Sequence, residues 1–148
     1  MDLETKLQLE GFVPSSFSKR VYAYSIDELL VSLIIFGAFF DQFVSLNGDI
    51  MKIIQLTNSM ILYFIVLKTI YHTLFIHLYG KTIGKIVTKI RAVDIYTMDN
   101  PSLKTSFLRA LLRNLDEIIL YLGLMYALTN PFVQTLHDKF SKVVVIDD

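Results

Sequence analysis

The feature that most constrains this chain is a long apolar segment, residues 53–79, whose only formal charge is Lys68. About 20 helical residues span the ~30 Å hydrocarbon core of a bilayer, so this segment is long enough to cross with tilt. A second apolar segment, residues 21–40, has the length of one crossing and lies between Arg20 and Asp41. With 53% hydrophobic residues and a mean hydropathy of +0.51, the sequence predicts an integral membrane protein rather than a soluble domain.

A third apolar segment, residues 107–130, is interrupted by charge. Its first half contains Arg109, Arg113, Asp116 and Glu117. The uncharged stretch that follows, residues 118–128, is too short to cross a bilayer as a helix. Two alternatives stay open: a full third span with the tail, residues 131–148, outside, or a re-entrant or interfacial hairpin that returns the tail to the cytoplasm. The short uncharged stretch favours the hairpin.

Two short runs, residues 90–96 and 142–147, have the composition of β-strands. An isolated strand has little reason to form, so we expect the two to pair, which also requires the tail to share a side with the 80–106 loop. The predicted fold class is therefore an all-α integral membrane protein with two full transmembrane helices. A third charged or re-entrant helical segment and a small cytoplasmic two-stranded element complete a single domain over residues 1–148.

Basic residues in the short loops predict the orientation, because such loops are enriched in lysine and arginine on the cytoplasmic side. The loop between the two spans contains only Lys52. The N-terminal segment, residues 1–19, and the 80–106 loop contain Lys6, Lys19, Lys81, Lys85, Lys89, Arg91 and Lys104. We therefore expect both to be cytoplasmic. The N-terminal segment is polar and mixed in charge, unlike a signal peptide.

Several function classes find no support in the sequence. The formal net charge is zero, which argues against nucleic acid as a partner. There is no cysteine and only three histidines, so we expect no thiol chemistry, metal site or cofactor. Gly80-Lys81-Thr82 is not a P-loop, because Phe75 stands where that motif needs a glycine. No pattern indicates an enzyme.

Charged side chains within the apolar segments need a partner, water or a function, since an ionised group in hydrocarbon costs several kcal/mol. Asp27 lies about 10 Å below the start of its span by the helical rise. It could carry a proton, or pair with Arg109 or Arg113 and fix helix packing. Lys68 lies about 18 Å from Gly80 by the same rise. It is either a counter-ion or substrate contact, or half of a buried pair that sets helix register.

The expected counter-ions of Lys68 are Asp27, Glu28 or Glu117. His72, one turn after Lys68, is either a neutral histidine bonded between helices or a proton relay. On a helix, Arg109, Arg113 and Asp116 share one face, where Arg113 and Asp116 can pair. That face is either solvated at the interface or lines a cytoplasmic vestibule.

The remaining predicted sites lie in the 80–106 loop and the tail. Asp138 is expected either to pair with Arg20 or a loop lysine, or to act in gating. Lys81, Lys85 and Lys89 are four residues apart and would form one basic helical stripe that contacts anionic lipid headgroups.

Four stretches that follow one another along the chain resemble the RDD family of bacterial membrane proteins, which is named for one arginine and two aspartates. They are RVYAYSID (20–27), GKTIGK (80–85), FLRALLR (107–113) and QTLHD (134–138). The resemblance carries the family's three residues over to Arg20, Asp27 and Asp138. Lys68 and His72 depart from the family pattern. The resemblance implies a bacterial inner-membrane location and a transport role, with cation/proton exchange among the suggestions.

The function predicted from sequence is membrane transport of a small ion or solute, coupled to protons. Asp27 would carry the proton, Lys68 and His72 would modulate it, and Arg20 with Asp138 would form a gate or brace. One such unit is too small to enclose a pathway, so we expect a homo-oligomer in the lipid bilayer. The alternative is a non-transporting scaffold that docks other membrane proteins.

Overall fold

The two longest helices of the computed structural model, which describes residues 2–119 and 122–148, correspond to the two predicted spans. They are α2 (Phe17–Ala38) and α4 (Ile50–Tyr79), and in the described part of the chain they are the helices long and apolar enough to cross a membrane. Both begin before the predicted bounds because a side chain caps each N-terminus. Ser16 accepts a hydrogen bond from the Lys19 amide, and Asp49 accepts one from the Lys52 amide.

Short helices occupy the segments around these spans. α1 (Leu3–Leu9) precedes α2, α3 (Phe40–Ser45) joins α2 to α4, and α5 (Ile83–Val87) follows α4. Gly80 ends α4 in the left-handed region, at φ +66°. Gly84 of α5 packs directly on α2, where an added Cβ would lie 2.1 Å from the Ala23 carbonyl oxygen. This close approach fixes α5 against the first span.

The predicted pairing of the two strand-like runs is confirmed. β1 (Ile90–Asp94) and β2 (Val143–Asp147) are antiparallel, with Ala92 opposite Val145, and Pro14 bridges to Ile146. Alternate side chains cover the two faces of the sheet. One face packs with Ala23 and Ile76 of the spans, and the other packs with Leu7 of α1. The sheet therefore places the N-terminal segment, the residues after α4 and the tail at the same end of the two spans.

The third segment forms α6 (Leu103–Ile118), α7 (Leu122–Tyr126), a 3₁₀ turn (Ala127–Thr129) and α8 (Leu136–Phe140). The Ser102 side chain caps the N-terminus of α6 by accepting a hydrogen bond from the Thr105 amide. Part of the uncharged stretch, residues 120 and 121, lies outside the described residues. The return of β2 to β1 keeps the tail beside the segment that follows α4, as the hairpin alternative requires.

Helix α6 packs against α4 with its polar face inward and its apolar face outward. The buried side chains include Arg109, Arg113 and Asp116, which are between 4% and 8% exposed. Apart from Lys104 in the first turn, the exposed side chains of α6 are apolar, namely Leu103, Phe107, Leu108, Leu111, Leu115 and Ile118. The prediction of a solvated charged face is therefore wrong. This orientation suits a helix whose outer surroundings are apolar. In such surroundings charged side chains find hydrogen-bond partners and counter-ions only inside the protein.

Candidate functional site

A buried carboxylate, Asp138, joins three helices. Its Oδ2 lies 2.6 Å from Arg20 Nη1, and its Oδ1 accepts hydrogen bonds from Arg109 Nε at 2.7 Å and lies 2.6 Å from Arg109 Nη2. Arg20 also donates to the Ser15 hydroxyl and to the Val145 carbonyl of β2. The predicted pairing of Arg20 with Asp138 is thus confirmed. Arg20, Asp138 and Arg109 together are called the arginine brace below.

The brace sets the charge of Asp138. Burial alone would raise the pKa of this carboxyl, but the nearby Arg109, His137 and Arg20 outweigh burial and hold the pKa well below its ordinary value. Thr135 and Asp138 also form a capping box that begins α8. Asp138 is therefore an ionised counter-ion to two arginines and a local structural residue.

Asp27 is bonded in a way the sequence did not indicate. It is 1% exposed and accepts hydrogen bonds from the Tyr71 hydroxyl at 2.7 Å, the Thr82 hydroxyl at 2.7 Å and the Gly84 amide at 2.9 Å. The expected pairing with Arg109 or Arg113 is wrong. α5 folds close to α2 and presents neutral donors, whereas both arginines are drawn to other carboxylates. Asp27 thus locks α4 and α5 onto α2.

Lys68 lies between two glutamates from the neighbouring helices. Its Nζ is 2.6 Å from Glu28 Oε2 and 2.6 Å from Glu117 Oε2. Arg113 Nη2 lies 3.3 Å from Glu28 Oε1, and Arg113 Nε lies 3.8 Å from Glu117 Oε1. Two of the three expected counter-ions of Lys68 are therefore present, and Asp27 is not among them. These four side chains are called the Lys68 cluster.

The Lys68 cluster borders a pocket of about 360 Å³. Glu28, Lys68, Glu117 and Asn114 supply its polar wall, and the rest of the lining is Ile61, Phe64, Ile65 and Ile118. The side chains of Glu28 and Glu117 are 25% and 17% exposed, compared with 11% for Lys68. The carboxylates are thus the more accessible members of the cluster.

Two histidines extend the polar network. His72 Nδ1 lies 3.0 Å from Arg113 Nη1. Because a guanidinium only donates, His72 accepts at Nδ1 and is the Nε2–H tautomer, which fits a neutral histidine bonded between helices. His137 Nδ1 lies 2.5 Å from Asp116 Oδ2, so the expected pair of Arg113 with Asp116 is wrong.

Burial lowers the pKa of His137 from its ordinary value, against the opposing effect of Asp138 and Asp116. No role for His137 was predicted from the sequence. Its position next to Asp138 was the one available signal that it would reach this network.

The predicted basic stripe is not formed. α5 covers only Ile83–Val87, so Lys81 and Lys89 are not on one helix with Lys85. Lys81 pairs with Asp148, and Lys89 is exposed with φ +55°. Lipid contact by these two stays a prediction. For Lys85 it is wrong, because this side chain is 7% exposed and points into the protein.

Lys85 borders a small cavity next to the arginine brace. The cavity measures about 30 Å³ and is lined by Arg20, Tyr24, Lys85, Arg109, Arg113, Thr135, His137, Asp138 and Val145. Burial, followed by the charge of Arg109, lowers the pKa of Lys85 to about 7. The sequence placed this lysine at the surface because its spacing resembled a helical stripe.

The network has no arrangement suited to a metal. Among the residues that the structure describes, no group of three or more histidine or carboxylate side chains is placed to hold a metal ion. The carboxylates instead contact basic side chains or, in the case of Asp27, neutral donors.

Comparison with protein-family sequence profiles matches the RDD family over residues 14–142, which includes all four stretches noted in the sequence. Comparison with curated proteins and with solved structures finds no match. The family match covers most of the chain, and the structure contains two helices fit to span a membrane. The chain is a membrane protein that belongs to the RDD family.

Proposed function

We propose that this protein transports a small ion or solute coupled to protons, with cation/proton exchange as the leading form. The observation that supports this most is the Lys68 cluster at the wall of its pocket. Lys68 lies about 18 Å from Gly80 by the helical rise, and it is the only formal charge in residues 53–79. Charged groups at such depth are costly and commonly mark ion or proton pathways.

The chemistry of the cluster suits competition between ions. Glu28 and Glu117 share one ammonium group, Lys68, on the pocket side. A small cation that enters the pocket could replace that ammonium as the counter-ion of the carboxylates. Protonation of a carboxylate would release the cation again. Cation/proton exchange requires at least one site that binds either a proton or a cation, but not both at once.

Asp27 is less suited to this role than Glu117. Its oxygens already accept three hydrogen bonds from neutral donors, and it does not line the pocket. We therefore assign the proton-carrying role to Glu28 and Glu117, and a packing role to Asp27.

A homo-oligomer could enclose such a pathway on all sides. Two spanning helices are too few to surround an ion. The outward faces of the spans are apolar, with exposed Leu29, Leu33, Ile34, Ile54, Ile61, Leu62, Val66 and Ile70. Further copies of the chain would complete the pocket wall through these faces.

We place the protein in a bacterial inner membrane with the N-terminal segment, the 80–106 loop and the tail in the cytoplasm. The support is the distribution of lysine and arginine among the loops. The bridge from Pro14 to Ile146 and the pairing of β1 with β2 then carry the tail to the same side. On this placement α6 and α7 form the re-entrant or interfacial hairpin.

The second candidate is a non-transporting scaffold. It is favoured by the arginine brace and by Asp27, because the contacts of both hold the helices together and involve no pocket of the Lys68 cluster. On this alternative the Lys68 cluster would fix helix register, and the exposed apolar faces would dock other membrane proteins.

Proteoliposomes that enclose a pH-sensitive dye distinguish the two candidates. We expect an imposed sodium, lithium or potassium gradient to drive proton movement through the wild type. Lys68→Met should abolish this movement, whereas Lys52→Met, at an exposed lysine in the first turn of α4, should not. Folded wild-type protein that moves no protons with any of these cations would support the scaffold or a non-ionic solute.

A further inference from the structure

The cavity beside the arginine brace has an excess of positive charge in its wall. Four basic side chains line it, namely Arg20, Lys85, Arg109 and Arg113, and the only carboxylate in the lining is Asp138. Its volume of about 30 Å³ compares with about 10–15 Å³ for a space that holds one water molecule. It therefore has room for one small guest surrounded by cationic donors.

Lys85 supplies a second, independent sign of a guest. The residue is 7% exposed and lines the cavity, and within the described part of the chain no hydrogen bond or ion pair joins its ammonium group to another residue. The nearest carboxylates are occupied elsewhere: Asp138 binds two arginines, and Asp27 binds three neutral donors. An ammonium group in so small a space is unfavourable without compensation. It needs water or a counter-ion in the cavity, or it loses its proton.

Two arginines also have donors left over at this cavity. Arg109 uses Nε and Nη2 for Asp138, and its Nη1 has no partner among the residues that the structure describes. Arg113 Nε is buried without a hydrogen-bond partner within the described residues, although Glu117 Oε1 lies 3.8 Å from it. A guest that accepts from several N–H groups at once would satisfy these donors together with Lys85.

We propose that the cavity binds one monovalent anion of halide size, chloride under ordinary conditions, held by Lys85, Arg109 and Arg113. A halide accepts from all directions and is only slightly larger than water. A tetrahedral oxyanion such as phosphate has five heavy atoms and exceeds the space. The site shares Arg113 with the Lys68 cluster, but no residue that lines the cavity also lines the pocket of that cluster. The proposal therefore stands whether or not the protein transports cations.

Thermal unfolding of the purified full chain tests the site directly. The midpoint is measured at about pH 6.5 in sodium chloride and in sodium gluconate of equal concentration, because gluconate is too large for the cavity. Mass action predicts that chloride raises the midpoint in proportion to the logarithm of its concentration once the site is occupied. Bromide should do the same, and phosphate and sulfate should not.

Two variants assign the effect to the cavity. We expect Lys85→Met to lose the chloride-dependent rise of the midpoint. Lys104→Met, at an exposed lysine of α6, should keep the rise. An equal rise in Lys85→Met and wild type, a rise with phosphate only, or no difference between chloride and gluconate would each overturn the proposal.

A measurement on the unaltered protein covers the case in which Lys85→Met does not fold. The proposal predicts protein-dependent broadening of the chloride-35 NMR signal that bromide reverses. The charged and titratable groups that surround Lys85 are Arg20, Tyr24, Asp27, His72, Arg109, Arg113, His137 and Asp138. Because the pKa of Lys85 is about 7, broadening should be several-fold stronger at about pH 6.5 than at about pH 9. Broadening that is absent or independent of pH would contradict the site.

Discussion

Removal of the charge of Asp138 should be among the most destabilising single changes in this protein. The carboxylate is fully buried and is the counter-ion of Arg20 and Arg109, which are 5% and 4% exposed. Loss of one partner from a buried ion pair costs about 3–5 kcal/mol, because the other charge stays buried without compensation. Asp138→Asn leaves two guanidiniums in that state but keeps one acceptor oxygen. We therefore expect a loss of about 3–5 kcal/mol in the free energy of unfolding.

Denaturant titration in mild detergent, followed by far-UV circular dichroism, measures this loss. Asp147→Asn is the matched control, because its partner Lys19 is 2.9 Å away but both side chains are about 40% exposed. That pair should contribute under about 1 kcal/mol. In a double-mutant cycle, Asp138→Asn should cost less once Arg20→Gln is present. A loss below about 1 kcal/mol for Asp138→Asn, or strict additivity with Arg20→Gln, would refute the shared counter-ion.

The pH dependence of Asp138 follows from the same contacts. Its folded pKa lies well below its ordinary value of 3.8, so the folded state holds its proton less tightly than the unfolded state. The stabilisation is complete above the unfolded pKa and is lost as the pH falls below about 4 toward the folded pKa. Asp138 should therefore add no slope to stability between about pH 5 and pH 8.

Three further predictions test the packing and the buried amine. Gly84→Ala places a methyl group 2.1 Å from a carbonyl oxygen of α2, so we expect a loss of more than about 2 kcal/mol. Gly37→Ala, which meets open space, should change stability by under about 1 kcal/mol; similar losses would contradict the close contact. Tyr71→Phe removes one donor from buried Asp27 and should cost about 1–3 kcal/mol in the same titration, whereas unchanged stability would argue against that bond. Because Lys85 binds its proton less tightly when folded, the free energy of unfolding in chloride-free gluconate should rise from about pH 7 to about pH 10.5, and Lys85→Met should flatten that rise.

The elements that were predicted well from the sequence depend on the length of an apolar segment or on the fact that a strand or a buried charge is unfavourable without a partner. The two spans follow from uninterrupted apolar length, and the strand pairing follows because neither run can form a sheet alone. The same reasoning found the partners of Lys68 and of Arg20, since buried charges need counter-ions. Few residues of opposite charge could reach each buried charge, so the number of candidate partners was small.

The contacts that the sequence missed depend on where the short helices lie. α5 has five residues, too few to leave a periodic pattern, and its placement buries Lys85 and brings donors to Asp27. α6 is plainly amphipathic, but periodicity does not say which face points inward. In apolar surroundings the charged face of α6 packs against the protein, so Asp116 contacts His137 and is not solvated.

The most direct test of the proposed function compares two carboxylate variants in the same proteoliposomes. Cation-driven proton movement is measured for Glu117→Gln and Asp27→Asn, each normalised to the amount of folded protein. We expect Glu117→Gln to lose proton movement, because this carboxylate lines the pocket beside Lys68. We expect Asp27→Asn to be less stable but to move protons at nearly the wild-type rate per folded molecule. Loss of movement in Asp27→Asn with full activity in Glu117→Gln would contradict this assignment and return the proton-carrying role to Asp27.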